Sequence, residues 1–206
     1  MSAILEVELD ARPVHRVGAD VLALPFYADD GVTRGALAWA DWRLCGLLSR
    51  ELREEATRTG ANGKPQAVLA PTQGRLRAAA ILAIALGARG ELQPGALAAV
   101  GRDIGSRALA LGARRLAVAL PTGGDPSRVA HDLVGGVAAA VGRTAEGPAA
   151  AGPDAALLLR VVVDPKALRD AQVGVQRLSA RPPADVALAL RSRPEPGSGP
   201  SATSVR

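Results

Sequence analysis

The sequence predicts an α/β layered domain, in which helices pack against a central sheet. Three observations favour this class. Short apolar segments of strand length alternate along the chain with longer segments in which apolar residues recur at helical spacing. Hydrophobic residues make up 48% of the sequence and aromatic residues only 2%, so the core is expected to consist of Ala, Val, Leu and Ile. A chain of 206 residues is long enough to bury one such core.

The predicted strands differ in how their faces are covered. Residues 3–9 alternate apolar and polar side chains, which indicates a strand with one exposed face. Residues 78–86 are apolar throughout, as expected for a central strand that is covered on both faces. The predicted strands are residues 3–9, 20–26, 66–70, 78–86, 115–120 and 156–163.

The predicted helices are residues 35–56, 94–111, 126–141 and 165–179. In the first of them, Leu37, Leu44 and Leu48 fall within one stripe, which predicts one continuous helix. Pro, Ser and Gly accumulate after Arg181, and the periodicity ends there. We therefore expect an ordered domain over residues 1–186 and a disordered tail over residues 187–206.

Charge and cysteine content exclude several classes of protein. The formal net charge is +5, but residues 181–206 hold four arginines against two acids, so much of the excess belongs to the tail. The other cations are scattered, which disfavours nucleic acid as a partner and leaves DNA binding as an alternative only. Cys45 is the sole cysteine, so no intramolecular disulfide can form. The sequence shows neither a signal segment nor a membrane span, which predicts a soluble, cytoplasmic protein.

Three segments carry a resemblance to a known family. A Gly63-Lys64 turn precedes two predicted strands, and the second strand ends in Leu-Gly-Ala-Arg-Gly-Glu-Leu at residues 86–92. A helix and a strand ending in Leu120-Pro121 follow, and residues 178–185 read Leu-Ser-Ala-Arg-Pro-Pro-Ala-Asp. In order and spacing these segments resemble the N-terminal domain of the leucyl aminopeptidase family over residues 18–186. The resemblance implies a three-layer α/β/α, macro-domain-like fold with a mixed central sheet.

The same resemblance implies a function without catalysis. Aminopeptidases of this family hold two metal ions on Asp, Glu and Lys side chains in a C-terminal half, within a stretch such as Asn-Thr-Asp-Ala-Glu-Gly-Arg. This sequence lacks that stretch, and its acids are dispersed, so we expect no enzyme activity, no metal and no cofactor. We expect instead a domain that acts in assembly or regulation. Its partner would be a second copy or another protein, such as a full-length leucyl aminopeptidase.

A glycine-containing turn at residues 121–127 is the candidate ligand site. It leads from a predicted strand into a predicted helix, and such a turn presents backbone N–H groups that suit a phosphate. It resembles the loop with which macro domains hold ADP-ribose, and residues 30–35 would be the second such loop. The alternative is that Asp125 merely caps the helix and that Pro126 is its first residue. The candidate ligand-binding residues are Thr122, Gly123, Gly124, Asp125, Ser127, Gly31 and Gly35.

The aromatic residues form the candidate interface. Phe26, Tyr27, Trp39 and Trp42 are the only aromatic residues of the chain, and they fall within one strand–loop–helix unit. At helical spacing, Trp39 and Trp42 project away from the apolar stripe of their helix. Either residues 29–34 cover these two side chains, or the side chains bind a partner protein.

Four further residues indicate no site. His15 and His131 stand apart from any candidate nucleophile, and both are expected to be exposed to solvent. Lys64 follows a turn and is expected in a solvated loop. Cys45 is expected to be a small buried residue of the first helix.

Overall fold

A computed structural model describes residues 3–30, 34–58, 67–145, 156–183 and 186–191. These described residues form seven strands and five helices, with short 3-10 turns at Val14–Arg16, Arg89–Glu91 and Pro165–Ala167. In chain order they are β1 (Ala3–Asp10), β2 (Ala19–Phe26), α1 (Gly35–Arg43), α2 (Leu47–Arg58), β3 (Ala67–Pro71), β4 (Ala78–Ala85), α3 (Ala96–Ala110), β5 (Arg115–Ala119), α4 (Pro126–Ala145), β6 (Leu157–Val162), α5 (Leu168–Ala180) and β7 (Val186–Arg191).

The strands form one mixed sheet in the order β3-β4-β2-β5-β6-β1-β7. All neighbouring strands run parallel except β3, which is antiparallel to β4. Helices cover both faces, because strands that are apolar on both faces must be shielded from water on both sides. The predicted α/β/α class with a mixed central sheet is confirmed.

Two apolar cores fill the space between the layers. On one face of the sheet, α3, α4 and α5 pack over the inner strands, with Ile104, Val137 and Val175 all buried. On the other face, α1 and α2 contribute Leu37 and Leu48 to the second core. The six predicted strands are present to within one residue at each end.

The helices α3 and α4 approach each other through glycines. A side-chain carbon at Gly136 of α4 would lie 2.8 Å from the Arg102 nitrogen and 2.9 Å from the Gly101 Cα, both on α3. Gly105 of α3 likewise faces the Val137 backbone of α4. The two helices therefore contact backbone to backbone, which no larger residue would allow.

The predicted continuous helix 35–56 is wrong, because α1 and α2 are separated by a turn. Cys45 and Gly46 adopt positive φ values of 54° and 78°, which no helix contains. Asp41 is buried there and accepts hydrogen bonds from the backbone nitrogen and the hydroxyl of Ser49, so it caps the beginning of α2. Cys45 is exposed rather than buried, and its sulfur accepts a hydrogen bond from Arg75.

The strand β7 was missed by the sequence analysis. It pairs in parallel with β1, and Arg191 at its end forms an ion pair of 2.5 Å with Glu6. Most of this strand lies in the segment assigned to the disordered tail, so the boundary at residue 186 cut off a strand of the sheet. Residues 192–206 lie outside the described part of the chain. Among the described helices, none is both long and apolar enough to cross a membrane.

Candidate functional site

The connections that follow β2 and β5 leave the sheet in opposite directions. These two strands are parallel neighbours. The chain after β2 enters α1 and α2 on one face of the sheet, whereas the chain after β5 enters α4 on the other face. Such a divergence opens a crevice at the carboxyl ends of the two strands, and open α/β sheets bind their ligands in crevices of this kind. We call the space between these two connections the switch-point crevice.

The turn after β5 forms one wall of the crevice. Gly123 and Gly124 have φ values of 100° and 80°, so the chain reverses sharply within two residues. The Asp125 carboxylate then accepts a hydrogen bond of 3.0 Å from the Ser127 nitrogen at the beginning of α4. Asp125 therefore does cap the helix, as the alternative interpretation of this turn required. The cap occupies the Ser127 nitrogen and leaves the turn itself at the surface.

Arg89, in the connection after β4, crosses the crevice from one wall to the other. Its Nη2 forms an ion pair of 2.5 Å with the Asp30 carboxylate, and its Nη1 donates a hydrogen bond to the Thr122 carbonyl oxygen. The backbone nitrogen of Arg89 donates to Asp29 at 2.9 Å. The guanidinium carbon lies 4.2 Å from the centre of the Tyr27 ring. Arg89 thus ties the connection after β2 to the turn after β5.

Gly123 makes room for this arginine. A side chain at position 123 would collide with Nη1 of Arg89. Glycine at position 123 therefore has two roles: it leaves space for Arg89, and it adopts the positive φ that the turn requires.

Arg89 lies between two clefts of very different size. The inner cleft is lined by its partners Asp30 and Thr122 together with Gly35, and its volume is about 30 Å³, enough for one water molecule. The outer cleft has a volume of about 410 Å³ and is lined by Arg89 itself, with Arg128 and the apolar Leu97 among the other residues. Only the outer cleft is large enough for a small organic ligand.

Of the seven predicted ligand-binding residues, five lie at the turn or the inner cleft, Gly31 is not described, and Ser127 is buried elsewhere. Thr122, Gly123, Gly124 and Asp125 lie on the turn beside Arg89, and Gly35 lines the inner cleft at the beginning of α1. Gly31 lies outside the described residues.

The structure does not support Ser127 as a ligand-binding residue, because its side chain is buried and lines neither cleft. Its backbone packs so closely against α5 that Gly174 there has no room for a side chain. Ser127 therefore belongs to the contact between α4 and α5.

Arg89 was not among the predicted site residues. The only signal was its place between Gly87 and Gly90 in the segment that carries the family resemblance. Nothing local distinguishes it from the many other arginines, since its partners are 60, 59 and 33 residues away along the chain.

The aromatic residues also divide into two groups. Trp39 and Trp42 are exposed to 56% and 67%, and their rings meet edge to face with centres 5.7 Å apart. A depression of about 260 Å³ lies beside them, lined also by Ala38. The prediction that Phe26 and Tyr27 belong to the interface is wrong, because both side chains are buried in the protein. We call the exposed pair, with Ala38, the tryptophan patch.

His15 borders the tryptophan patch. Its ring centre lies 6.1 Å from that of Trp39, and its Nδ1 is buried without a hydrogen-bond partner. Burial lowers the pKa of His15, and the positive charges of Arg43 and Arg16 lower it further. His131 is half exposed and contacts Asp132 at 3.0 Å. Within the described part of the chain, no group of three His, Cys, Asp or Glu residues could hold a metal ion.

Comparison with known proteins gives matches only among solved structures. No family model matches the sequence, and no curated protein is similar enough to count as a relative. The chain superposes on a leucine aminopeptidase of tomato with a TM-score of 0.63 and 19% identity, over 84% of this chain and 36% of that one. It superposes on an Oceanobacillus iheyensis macrodomain with a TM-score of 0.59 and 13% identity, over 84% of this chain and 90% of that one.

A third match is the Trypanosoma brucei macrodomain in complex with ADP-ribose. The TM-score is 0.59 and the identity 16%, over 84% of this chain and 68% of that one. The chain has a macrodomain-like fold. The aminopeptidase match concerns about a third of that enzyme's length. At these identities the similarity establishes the fold and no finer relationship.

Proposed function

We propose that this macrodomain-like protein binds a phosphate-bearing nucleotide ligand in its switch-point crevice, and that ADP-ribose is the first compound to test. The observation that carries the proposal is the position of the outer cleft. It borders the switch-point crevice at Tyr27, Arg89 and the Gly124-Asp125 turn and extends between the beginnings of α3 and α4, and its volume of about 410 Å³ suits a small ligand. The Trypanosoma brucei macrodomain, which shares the fold, has been crystallised with ADP-ribose.

The walls of the crevice suit such a ligand chemically. Leu97 and Val129 offer apolar surface for a base or a ribose, whereas Arg89 and Arg128 offer N–H groups to phosphate oxygens in a lining that also contains Asp125 and Asp132. Arginine is well adapted to phosphate because its planar N–H groups can bind two oxygens at once. We propose binding without turnover, since the described part of the crevice presents no nucleophile beside a general base.

Isothermal titration calorimetry with ADP-ribose tests the proposal. We expect binding at one site per chain. Gln93 is exposed at the rim of the outer cleft, so Gln93→Trp should fill the cleft and weaken binding at least about tenfold through steric exclusion. The matched control is Gln176→Trp, at an exposed position of α5 that lines neither cleft, and it should leave the affinity unchanged. Absence of heat at millimolar ADP-ribose would refute the proposal.

A second candidate function is assembly through the tryptophan patch. Two adjacent tryptophans that are more than half exposed form an apolar surface of the kind that anchors protein contacts. We propose that the patch binds a second copy of the chain or a partner protein, for which a full-length leucyl aminopeptidase is the candidate that the sequence resemblance suggests.

Sedimentation velocity, alone and with a leucyl aminopeptidase, tests this second candidate. Replacing Trp39 and Trp42 by Ala should abolish any complex. The matched control is Leu111→Ala, which removes an apolar side chain that is 50% exposed at another place on the surface. A strict monomer that forms no complex at high concentration would eliminate the candidate.

A further inference from the structure

We propose that Arg89 is the anion-binding residue of the switch-point crevice and that Asp30 is its internal competitor. A ligand phosphate would replace the Asp30 carboxylate on the guanidinium. The inference rests on the proposed function, and it adds the class of ligand: a compound whose phosphate group competes with a carboxylate of the protein itself. It also assigns a role in ligand exchange to Asp30, which forms an ion pair with this arginine.

Arg89 has hydrogen-bond donors to spare. A guanidinium carries five N–H groups. Within the described part of the chain, Arg89 uses one nitrogen for Asp30 and another for the Thr122 carbonyl oxygen. Its side chain is 40% exposed and lines the outer cleft. An anion that enters the outer cleft therefore meets unused N–H groups before any existing bond has to break.

The guanidinium is also held in place independently of Asp30. Tyr27 is buried and its ring supports the guanidinium at 4.2 Å, as in a cation–π contact. The backbone nitrogen of Arg89 is fixed by Asp29 rather than by Asp30. Loss of the Asp30 contact would therefore leave Arg89 positioned over the tyrosine, ready for another acceptor.

A phosphate is a better acceptor for this arginine than Asp30. Arg89 contacts Asp30 through Nη2 alone, whereas a bidentate pair would use two parallel N–H groups. Ion pairs with an exposed partner contribute little because water screens the charges, and the Arg89 side chain is 40% exposed. The diphosphate of ADP-ribose carries two negative charges on four non-bridging oxygens, whereas a carboxylate carries one charge on two oxygens, so the exchange favours the ligand.

Calorimetry with ADP-ribose on a set of variants tests the exchange. Asp30→Asn removes the competing charge, and we expect binding about threefold tighter than in the unaltered protein. Arg89→Ala removes the anion-binding group, and we expect binding at least about tenfold weaker. Arg89→Lys keeps the charge without the planar pair of donors, so it should bind ADP-ribose more weakly than the unaltered protein but more tightly than Arg89→Ala. Thermal unfolding of each variant checks that the fold is kept.

Asp29→Asn is the matched control. It removes the same charge from the neighbouring residue, but Asp29 contacts the backbone of Arg89 and an amide oxygen can still accept that hydrogen bond. We expect its affinity for ADP-ribose to equal that of the unaltered protein. An equal gain in Asp29→Asn and Asp30→Asn would indicate a general effect of charge and would overturn the exchange.

The outcomes separate this inference from the proposed function. Tighter binding by both Asp30→Asn and Arg89→Ala would show that Arg89 only obstructs the cleft, and an unchanged affinity in Arg89→Ala would show that it is uninvolved. Either result overturns the inference while ADP-ribose binding stands. Binding by Asp30→Asn but not by the unaltered protein would support the exchange and refute the proposed function of the unaltered chain. Failure of the unaltered protein and of Asp30→Asn to bind ADP-ribose refutes both.

Discussion

Substitution of Gly136 by Ala should destabilise the protein, although alanine is the better helix former. The added carbon would lie 2.8 Å from the Arg102 nitrogen, 2.9 Å from the Gly101 Cα and closer still to the Ala98 carbonyl oxygen. All three are backbone atoms of α3, so none can rotate away. Ordinary contact begins at 3.4 Å, so the Arg102 nitrogen alone requires the two helices to separate by about 0.6 Å (3.4 − 2.8 Å), and the nearer Ala98 oxygen requires more.

The cost follows from the contacts that this separation weakens. A gap of 0.5–1 Å removes roughly a quarter to a half of each dispersion contact, and overpacked cores lose about 1–3 kcal/mol. The helix propensity of alanine returns about 1 kcal/mol at most. We expect Gly136→Ala to lower the free energy of unfolding by about 2 kcal/mol, which corresponds to about 4–8 °C in Tm for a chain of this size.

The neighbouring Gly135 supplies the control. A side-chain carbon there would meet only the ends of the flexible Leu178 side chain, at 3.4 and 3.9 Å. Gly135→Ala should therefore gain most of the helix propensity and raise Tm by about 2–4 °C. Urea denaturation followed by circular dichroism measures both variants. Equal stability of the two would refute the close backbone contact between α3 and α4.

Two further predictions concern pH. Burial raises the pKa of Asp20, but the hydrogen bonds from the Arg115 side chain and the adjacent backbone N–H groups outweigh it and hold the pKa below its usual value of about 3.9. This stabilisation is present above about pH 4 and is lost as the pH falls through the lowered pKa. Asp20→Asn should therefore lower the free energy of unfolding by about 1 kcal/mol at pH 7 and reduce the loss of stability at acid pH, as measured by urea denaturation. An unchanged dependence of stability on acid pH would contradict this. The pKa of His15 is lowered by burial, Arg43 and Arg16, so stability should decrease as the pH falls below about 6.5. An NMR titration of the His15 ring should therefore show a midpoint below 6.5, and Arg43→Gln should raise it; a midpoint at or above 6.5 would contradict the buried environment.

Periodicity predicted most of the layers because it reports burial directly. Residues 78–86 are apolar throughout, and β4 indeed lies inside the sheet between β3 and β2. The beginning of α4 was predicted by local chemistry, since Asp125 and Pro126 are typical of a helix start, and the structure has the capping hydrogen bond there. Signals of both kinds come from residues close together in the sequence.

The turn between α1 and α2 has no such signal. Leu37, Leu44 and Leu48 are all buried on the same core, so the apolar stripe continues across the break. A change in helix direction at Cys45 therefore leaves the periodicity intact. The strand β7 is a different case. Its sequence is apolar from Val186 to Leu190, but it lies just after Pro182-Pro183 and just before a segment rich in Pro, Ser and Gly, and only Val186 in it is buried. Its formation depends on the pairing edge that β1 offers.

The crevice could be predicted only in part. The glycine turn at residues 122–125 is visible in the sequence, because its residue types are those that a sharp turn before a helix requires. The arginine that crosses it is not visible, because its contacts are made across three connections that only the folded sheet brings together. The burial of Tyr27, which supports that arginine, likewise follows from tertiary packing and has no local signature.

The position of β1 between β6 and β7 bears on how the chain reaches its fold. Among the described strands, β1 comes first along the chain, yet its two partners β6 and β7 come last. The ion pair between Glu8 and Arg160 closes a loop of 152 residues. Until that closure β1 has no neighbouring strand, so a growing chain carries Leu5 and Val7 in an unpaired apolar strand until β6 has been made. The β4-β2-β5 half can assemble earlier, and docking of β1 is expected to be the late, slow step of folding.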